Sequence, residues 1–409
     1  MSPLIVAMTA LSCLLTACGG GGGGSSSSST SSTSTSTSTS TSSGSATDSS
    51  SVDTATTTDS GCTGGTYAEN VVCAVAAFEA TLTSTQLASA HYSDSSYTTS
   101  QLNVYKTRWS NLPSALLSQN RAGLAYGDLT TSAQVSAFLN VADAALTDAG
   151  YADFLNVLVA DDYLGTIQSD YGSEYAHIAV IGTPSTSGQW MLMLGNHHMA
   201  FNITFKDGVA YPTPHHIGVE PKAAFTLNGT SYQALVDKAS SMVGIFYGQT
   251  NSLSSTQLSS ARLSATYGDI LIGAVEYNTG SYSNVSSKFP TGSSSRGILV
   301  SSLSTAQQAM VTAAITQWAS DYDTSLAADL IAEYTSSTAY ASTYIAWSGS
   351  SSVSYPNVDV SNTYMRIDGP RAWIEIACQG GIVISGQTHY HMIFRDKTTD
   401  YYNELSTSN

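Results

Sequence analysis

The segment Leu82-Thr83-Ser84-Thr85-Gln86-Leu87-Ala88-Ser89-Ala90 returns, nearly unchanged, 171 residues later as Leu253-Ser254-Ser255-Thr256-Gln257-Leu258-Ser259-Ser260-Ala261. Leu129 to Gln134 is answered by Leu303 to Gln308 after 174 residues, and Trp190-Met191-Leu192-Met193-Leu194 by Trp373-Ile374-Glu375-Ile376-Ala377 after 183. Set against chance similarity among Ser/Thr-rich stretches, three ordered matches at nearly constant spacing predict two pseudo-equivalent halves, about 61–225 and 226–409. The period is far too long for a solenoid. Helical patterning comes first in each half. Thr131-x-x-Gln134 and Thr305-x-x-Gln308 read as capping boxes, in which a hydroxyl and a Gln side chain satisfy free amides of the first turn. Val135, Phe138, Leu139, Ala142 and Leu146 then recur at helical spacing, and Gly150 is expected to end that helix before Tyr151, Phe154, Leu155 and Leu158 begin another. The corresponding pair covers 306–321 and 324–335, with further helices at 69–80 and 232–247. Strand patterns follow at 175–181, 190–194 and 197–205, then at 340–347, 364–367, 373–378 and 389–394. Helices followed by strands, twice, predict an α+β fold with mostly antiparallel sheets.

The first 60 residues do not share this logic. Residues 1–17 read as a lipoprotein signal peptide, with Leu15-Thr16-Ala17-Cys18 as the processing and lipidation site; an ordinary signal peptide with an incidental Cys18 is the alternative. Residues 18–60 form a Gly and then Ser/Thr tract with almost no apolar side chains. Such a tract cannot bury enough surface to offset its ordering entropy, so it reads as a disordered tether. The expectation is a globular domain over 61–409, lipid-anchored in a bacterial cell envelope, at the outer membrane or cell surface.

Charge and cysteines fit that expectation. The net charge is −16, with only 13 Lys and Arg. Phosphate binding needs clustered cations, so nucleic acid is excluded as a partner. Cys62 and Cys73 are close enough in sequence to form a disulfide in an oxidising compartment. Cys378 lies in an apolar run and reads as a buried free thiol.

Four of the eight histidines sit in two short segments, Gly195-Asn196-His197-His198 and His389-Tyr390-His391. Histidine is the commonest metal ligand and the usual acid–base side chain near neutral pH. On a regular strand His389, His391, Ile393 and Arg395 share one face. His198 would share a wet face with Asn202 and Thr204, while His197 would share its face with Met199 and Phe201, as a core residue or a further ligand. Residues 211–221 read as a loop, because prolines interrupt any ladder. Within it Glu220 could serve as ligand, general base or ion-pair partner of Arg366 or Arg371. Asp368-Gly369-Pro370 reads as a tight turn. Arg366 and Arg395 can each fork to a carboxylate of the protein or of a substrate, and Asp368 and Asp396 are further site candidates. No Gly-x-Ser-x-Gly elbow, phosphate loop or His-Glu-x-x-His is present, and no nucleotide cofactor is expected.

Taken in order, "GNHHMAFN", "IGVEP", "RIDGPRAWIEI" and "HYHMIFRD" resemble the domain-of-unknown-function family 3500 over most of the chain beyond the tether. The family pattern of Gly-His-His, Gly-Val/Ala-Glu-Pro, Arg-Ile-Asp-Gly-Pro and His-Tyr-His with Arg-Asp falls here on His197, His198, Glu220, Arg366, Asp368, His389, His391, Arg395 and Asp396. Asn196 is inserted in the first motif, and His215-His216 stands where an apolar pair is expected. The resemblance implies one domain family with a His/Glu/Arg site and supplies no substrate.

These readings lead to an expected metal site of His198, His389 and His391. Glu220 would be fourth ligand or base, and Arg366 or Arg395 would hold an anionic substrate or oxyanion. Zinc is the expected ion and a hydrolase the expected activity, while copper fits the same donors and leaves a redox metalloenzyme open. A non-catalytic metal- or ligand-binding lipoprotein, or a structural histidine network, is the alternative.

Overall fold

The structure, a computed structural model, describes residues 61–277 and 282–403. Cys18 and the expected tether lie outside the described residues. The strands are β1 (His91–Tyr92), β2 (Leu124–Ala125), β3 (His177–Gly182), β4 (Gln189–Asn196), β5 (Met199–Lys206), β6 (Val209–Tyr211), β7 (His215–Val219), β8 (Phe225–Leu227), β9 (Thr230–Tyr232), β10 (Ile298–Leu299), β11 (Tyr344–Ser348), β12 (Thr363–Asp368), β13 (Ala372–Gly380) and β14 (Thr388–Asp396). All but β8 and β9 belong to one sheet, in the order β1-β3-β4-β5-β7-β14-β13-β12-β11-β10, with β2 on β3 and β6 on β5. The β1·β3 pair is parallel and the other named pairs of this sheet are antiparallel. The fold is α+β.

Both faces of the sheet are covered. Phe78, Phe138, Phe154, Phe246 and Trp318, from five helices, pack on one face against Val180, Leu192, Phe201, Ile374 and Phe394. On the other face Ala179, Met191, Ala200, Trp373 and Ile393 meet Leu102, Trp109, Leu263 and Ile272 from connecting segments. The expected wet face therefore does not exist along β5: Asn202 and Thr204 are fully buried. A sheet buried on both sides loses the apolar/polar alternation that would reveal its faces.

The central strand was expected to be a loop. Residues 215–219 form β7, which pairs with β5 on one side and β14 on the other. Pro214 ends just before this strand and Pro221 lies beyond it, so neither removes a donor from its ladder. Gly150 is a second correction. It does not end a helix but sits in the first turn of Asp148–Gly165. A Cβ there would stand 2.4 Å from the Asp321 carbonyl oxygen, so close approach of two backbones is the reason for the glycine.

The expected tryptophan equivalence is not met. Trp190 lies on β4, two strands from β7, whereas Trp373 lies on β13, next to β14. They also face opposite sides of the sheet. What the two halves do share is a reciprocal amide pair at helix starts. Gln86 and Gln134 bond each other at 3.3 and 3.0 Å, and Gln257 and Gln307 at 3.1 and 2.9 Å. In the second half the capping box is Ser304 with Gln307, one residue before the expected Thr305 and Gln308. Cys62 and Cys73 are joined in a disulfide, and Cys378 is free and buried, its thiol pushed up by burial to about 12.

Candidate metal centre

His389 and His391 are two apart on β14 and project from the same face, with Nε2 atoms 3.3 Å apart. Two neutral imidazoles meeting Nε2 to Nε2 must share either a proton or an ion. Nitrogens about 2.1 Å from one ion, at tetrahedral angles, stand about 3.4 Å apart. A third imidazole aims at the same point. One ligand atom each from His198, His389 and His391 all lie within 4.8 Å of one another, and all three residues are buried. The ring centroid of His198 is 5.5 Å from that of His389 and 5.4 Å from that of His391.

Local structure explains how His198 gets there. His197 and His198 are not on a strand but form the turn between β4 and β5. The His198 carbonyl accepts the Gly218 amide at 2.7 Å, which ties this turn to β7. Gly218 stands opposite His391 in the β7·β14 register. A Cβ on it would meet the Tyr390 carbonyl oxygen at 2.4 Å, His198 Cδ2 at 3.0 Å and His391 Cδ2 at 3.4 Å. The glycine is the gap through which the two motifs converge.

Carboxylates hold two of the imidazoles from behind. Asp269 Oδ1 lies 2.9 Å from His391 Nδ1, and Oδ2 accepts the Asn111 amide at 3.1 Å. This leaves Nε2 of His391 facing the shared point, the arrangement by which outer carboxylates fix the tautomer of metal-binding histidines. Burial raises the Asp269 carboxyl, but the bond to His391 and its charge outweigh this and leave it below its ordinary value. Asp161 Oδ2 lies 3.4 Å from His197 Nδ1 and also takes the Asn196 side-chain amide. Asp161, His197 and His198 form a second group able to hold an ion. His197 Nε2 is buried without a hydrogen-bond partner. Burial, then neighbouring imidazoles, drives His198 well below its ordinary value; burial and His391 take His389 down to about 3. Neutral imidazole is the form that binds metal.

Beside these histidines lies a cavity of about 140 Å³ whose wall includes Glu220 and Tyr171. Glu220 is buried and pairs with neither Arg366 nor Arg371. Its Oε1 accepts the amides of Val383 and Ile384, at 2.9 and 2.8 Å, in the β13–β14 connection. Neither Arg366 nor Arg395 lines the cavity. Arg366 is buried over Trp373 and donates to the Ser295 carbonyl. Arg395 forks to Glu276 and Asp400. Asp368 binds Arg296 and Lys397, and Asp396 binds Arg371 and Tyr334. These four residues are held by protein partners rather than gathered at the histidines.

The Protein of unknown function (DUF3500) model matches residues 64–403. The chain belongs to the DUF3500 family. No curated protein and no solved structure matches it. In this DUF3500 chain the two histidine motifs, 191 residues apart from His198 to His389, meet in space, and Glu220 of the Gly-Val-Glu-Pro motif lines the same cavity.

Several residues of the site were missed in the sequence. Asp161 carried a readable signal: with Phe154 and Leu158 it is spaced i, i+4, i+7, so an acid falls on an apolar helical stripe. His216, stacked on Trp109 with its ring 5.7 Å from His391, sits in the segment taken for a loop. Asp269 and Asn111 come from connections with no periodic pattern. Replacing Asp269 by Asn should weaken metal binding about 10- to 100-fold, the usual cost of losing an outer carboxylate. Competition with a chromogenic chelator measures this, and an unchanged affinity would remove Asp269 from the site.

Proposed function

We propose that this chain is a metal-dependent hydrolase held at the cell envelope through Cys18, with His198, His389 and His391 as ligands of a zinc ion. The observation that carries this reading is the convergence of three buried imidazoles from two distant segments on one point that borders a cavity. A zinc ion with three protein ligands supplies a water acidified towards neutral pH. Asp269 orients His391, Gly218 makes room for the ring pair, and Tyr171 packs edge-on against His197 in the cavity wall. Glu220 lines the same cavity and is the carboxylate available to accept a proton there. Copper is compatible with the same donors, so the ion is a matter for measurement.

A non-catalytic metal-binding lipoprotein is the second reading. It is favoured by burial, since His198, His389 and His391 are only 4%, 1% and 6% exposed. Elemental analysis of the purified chain together with hydrolysis of p-nitrophenyl acetate separates the two. The expected result is about one ion per chain and turnover that dipicolinate abolishes and zinc restores. An ion without turnover points to the binding protein, and a metal-free chain from metal-supplemented medium removes both.

A further inference from the structure

Seven large apolar side chains are exposed among the described residues, and three of them, Leu112, Leu116 and Ile382, border the one cavity that holds the histidines. Their exposures are 43%, 67% and 66%. Clustered exposed apolar side chains mark binding sites more often than scattered ones do. These three are not on slack loops. The guanidinium of Arg121, itself only 5% exposed, donates to the carbonyls of Ser110 and Leu112 and to the Ser114 hydroxyl, pinning the first loop from beneath. Glu220 grips the amides of Val383 and Ile384, directly after Ile382. Two buried charged groups thus hold an apolar rim in place above the histidines.

Size and charge narrow the occupant. The cavity of about 140 Å³ is close to the roughly 150 Å³ that accommodates a benzene molecule in a protein core. No lysine or arginine lines it, so no basic side chain is placed to grip a substrate there, and the exposed grip is apolar. We infer that the substrate of the histidine site is a small molecule carrying one benzene-sized apolar group, gripped by Leu112, Leu116 and Ile382 with its polar end towards the histidines. This rests on the proposed site and moves the grip on substrate from Arg366 and Arg395, which do not line the cavity, to the apolar rim.

The test uses the full chain as isolated, with benzyl alcohol as probe and glycerol as polar control, read by saturation-transfer NMR titration. The triple variant Leu112→Ser, Leu116→Ser, Ile382→Ser changes exposed positions and should keep its metal content and its melting temperature. Benzyl alcohol is expected to bind the natural chain saturably and the triple variant about tenfold or more weaker, as apolar contact area is lost. Ile382→Trp, which keeps the rim apolar but crowds the mouth, should weaken it as well. Equal binding by the natural chain and the triple variant would overturn the inference, as would equal binding of glycerol. Association with phosphatidylcholine vesicles that the triple variant loses, without benzyl alcohol binding, would assign the rim to a lipid surface instead. Because benzyl alcohol binding is expected to survive dipicolinate, a failure of the metal reading shows separately, in the elemental analysis.

Discussion

Replacing His391 by alanine is expected to strip the ion from the chain, lowering metal affinity by more than about 100-fold. The magnitude follows from a comparison. Loss of an outer partner such as Asp269 costs about 10- to 100-fold, and loss of a ligand itself must exceed that. The fold should survive, because the group left behind is not trapped. The Asp269 side chain is 40% exposed and keeps the Asn111 amide and the Ile270 amide as donors. Circular dichroism and melting of the metal-free forms should therefore be nearly the same for both chains. Elemental analysis after dialysis gives the answer. Retention of the ion by His391→Ala, with loss in His197→Ala, would move the site to the neighbouring group of Asp161, His197 and His198. Retention in both would return the histidines to a structural network.

How much of this was legible in the sequence depends on how local the signal was. Helix 324–335 was readable to the residue, as Thr324–Thr335, because its apolar positions recur with one period and Asp323 caps it. The pairing of His389 with His391 was readable because a strand alternates faces over two residues. The third ligand candidate, His198, was chosen on a different ground, a wet strand face, and that ground did not hold. It reaches the site because it lies in a turn. The central strand β7 was hidden by its flanking prolines, although a proline just outside a strand takes nothing from the ladder. Asp269 and Arg121 act from connections, where residue type is set by one long-range contact and no repeating pattern reports it. The arginines were misread for a related reason. A buried arginine looks the same in sequence whether its partner is a substrate or a protein carboxylate.

Arg395→Ala should be among the most destabilising single changes available, at about 3–5 kcal/mol. Arg395 is fully buried, and its guanidinium is committed on every side. Nε donates to the Ile272 carbonyl at 3.1 Å, Nη1 to Asp400 at 2.8 Å, and Nη2 to the Gly273 carbonyl at 2.7 Å and both Glu276 oxygens at 2.9 Å. Removing it leaves two buried carboxylates facing each other's neighbourhood without their shared cation. A surface pair of the same kind would cost only about 0–1 kcal/mol, because water would take over. The consequence reaches the histidines. Ile272, Gly273 and Glu276 belong to the same connection as Asp269, which is also anchored by Glu375, whose side chain accepts the Leu271 and Ile272 amides at 2.6 and 2.9 Å. Cutting the Arg395 anchor should loosen Asp269 and, through it, the orientation of His391. The expected result is a lower denaturation midpoint together with weaker metal binding. Arg395→Met, which keeps the apolar stem, should recover part of the packing but neither the fork nor the metal affinity. A loss of stability below about 1 kcal/mol, with substrate affinity falling instead, would mean that Arg395 serves a bound anion rather than the frame of the site.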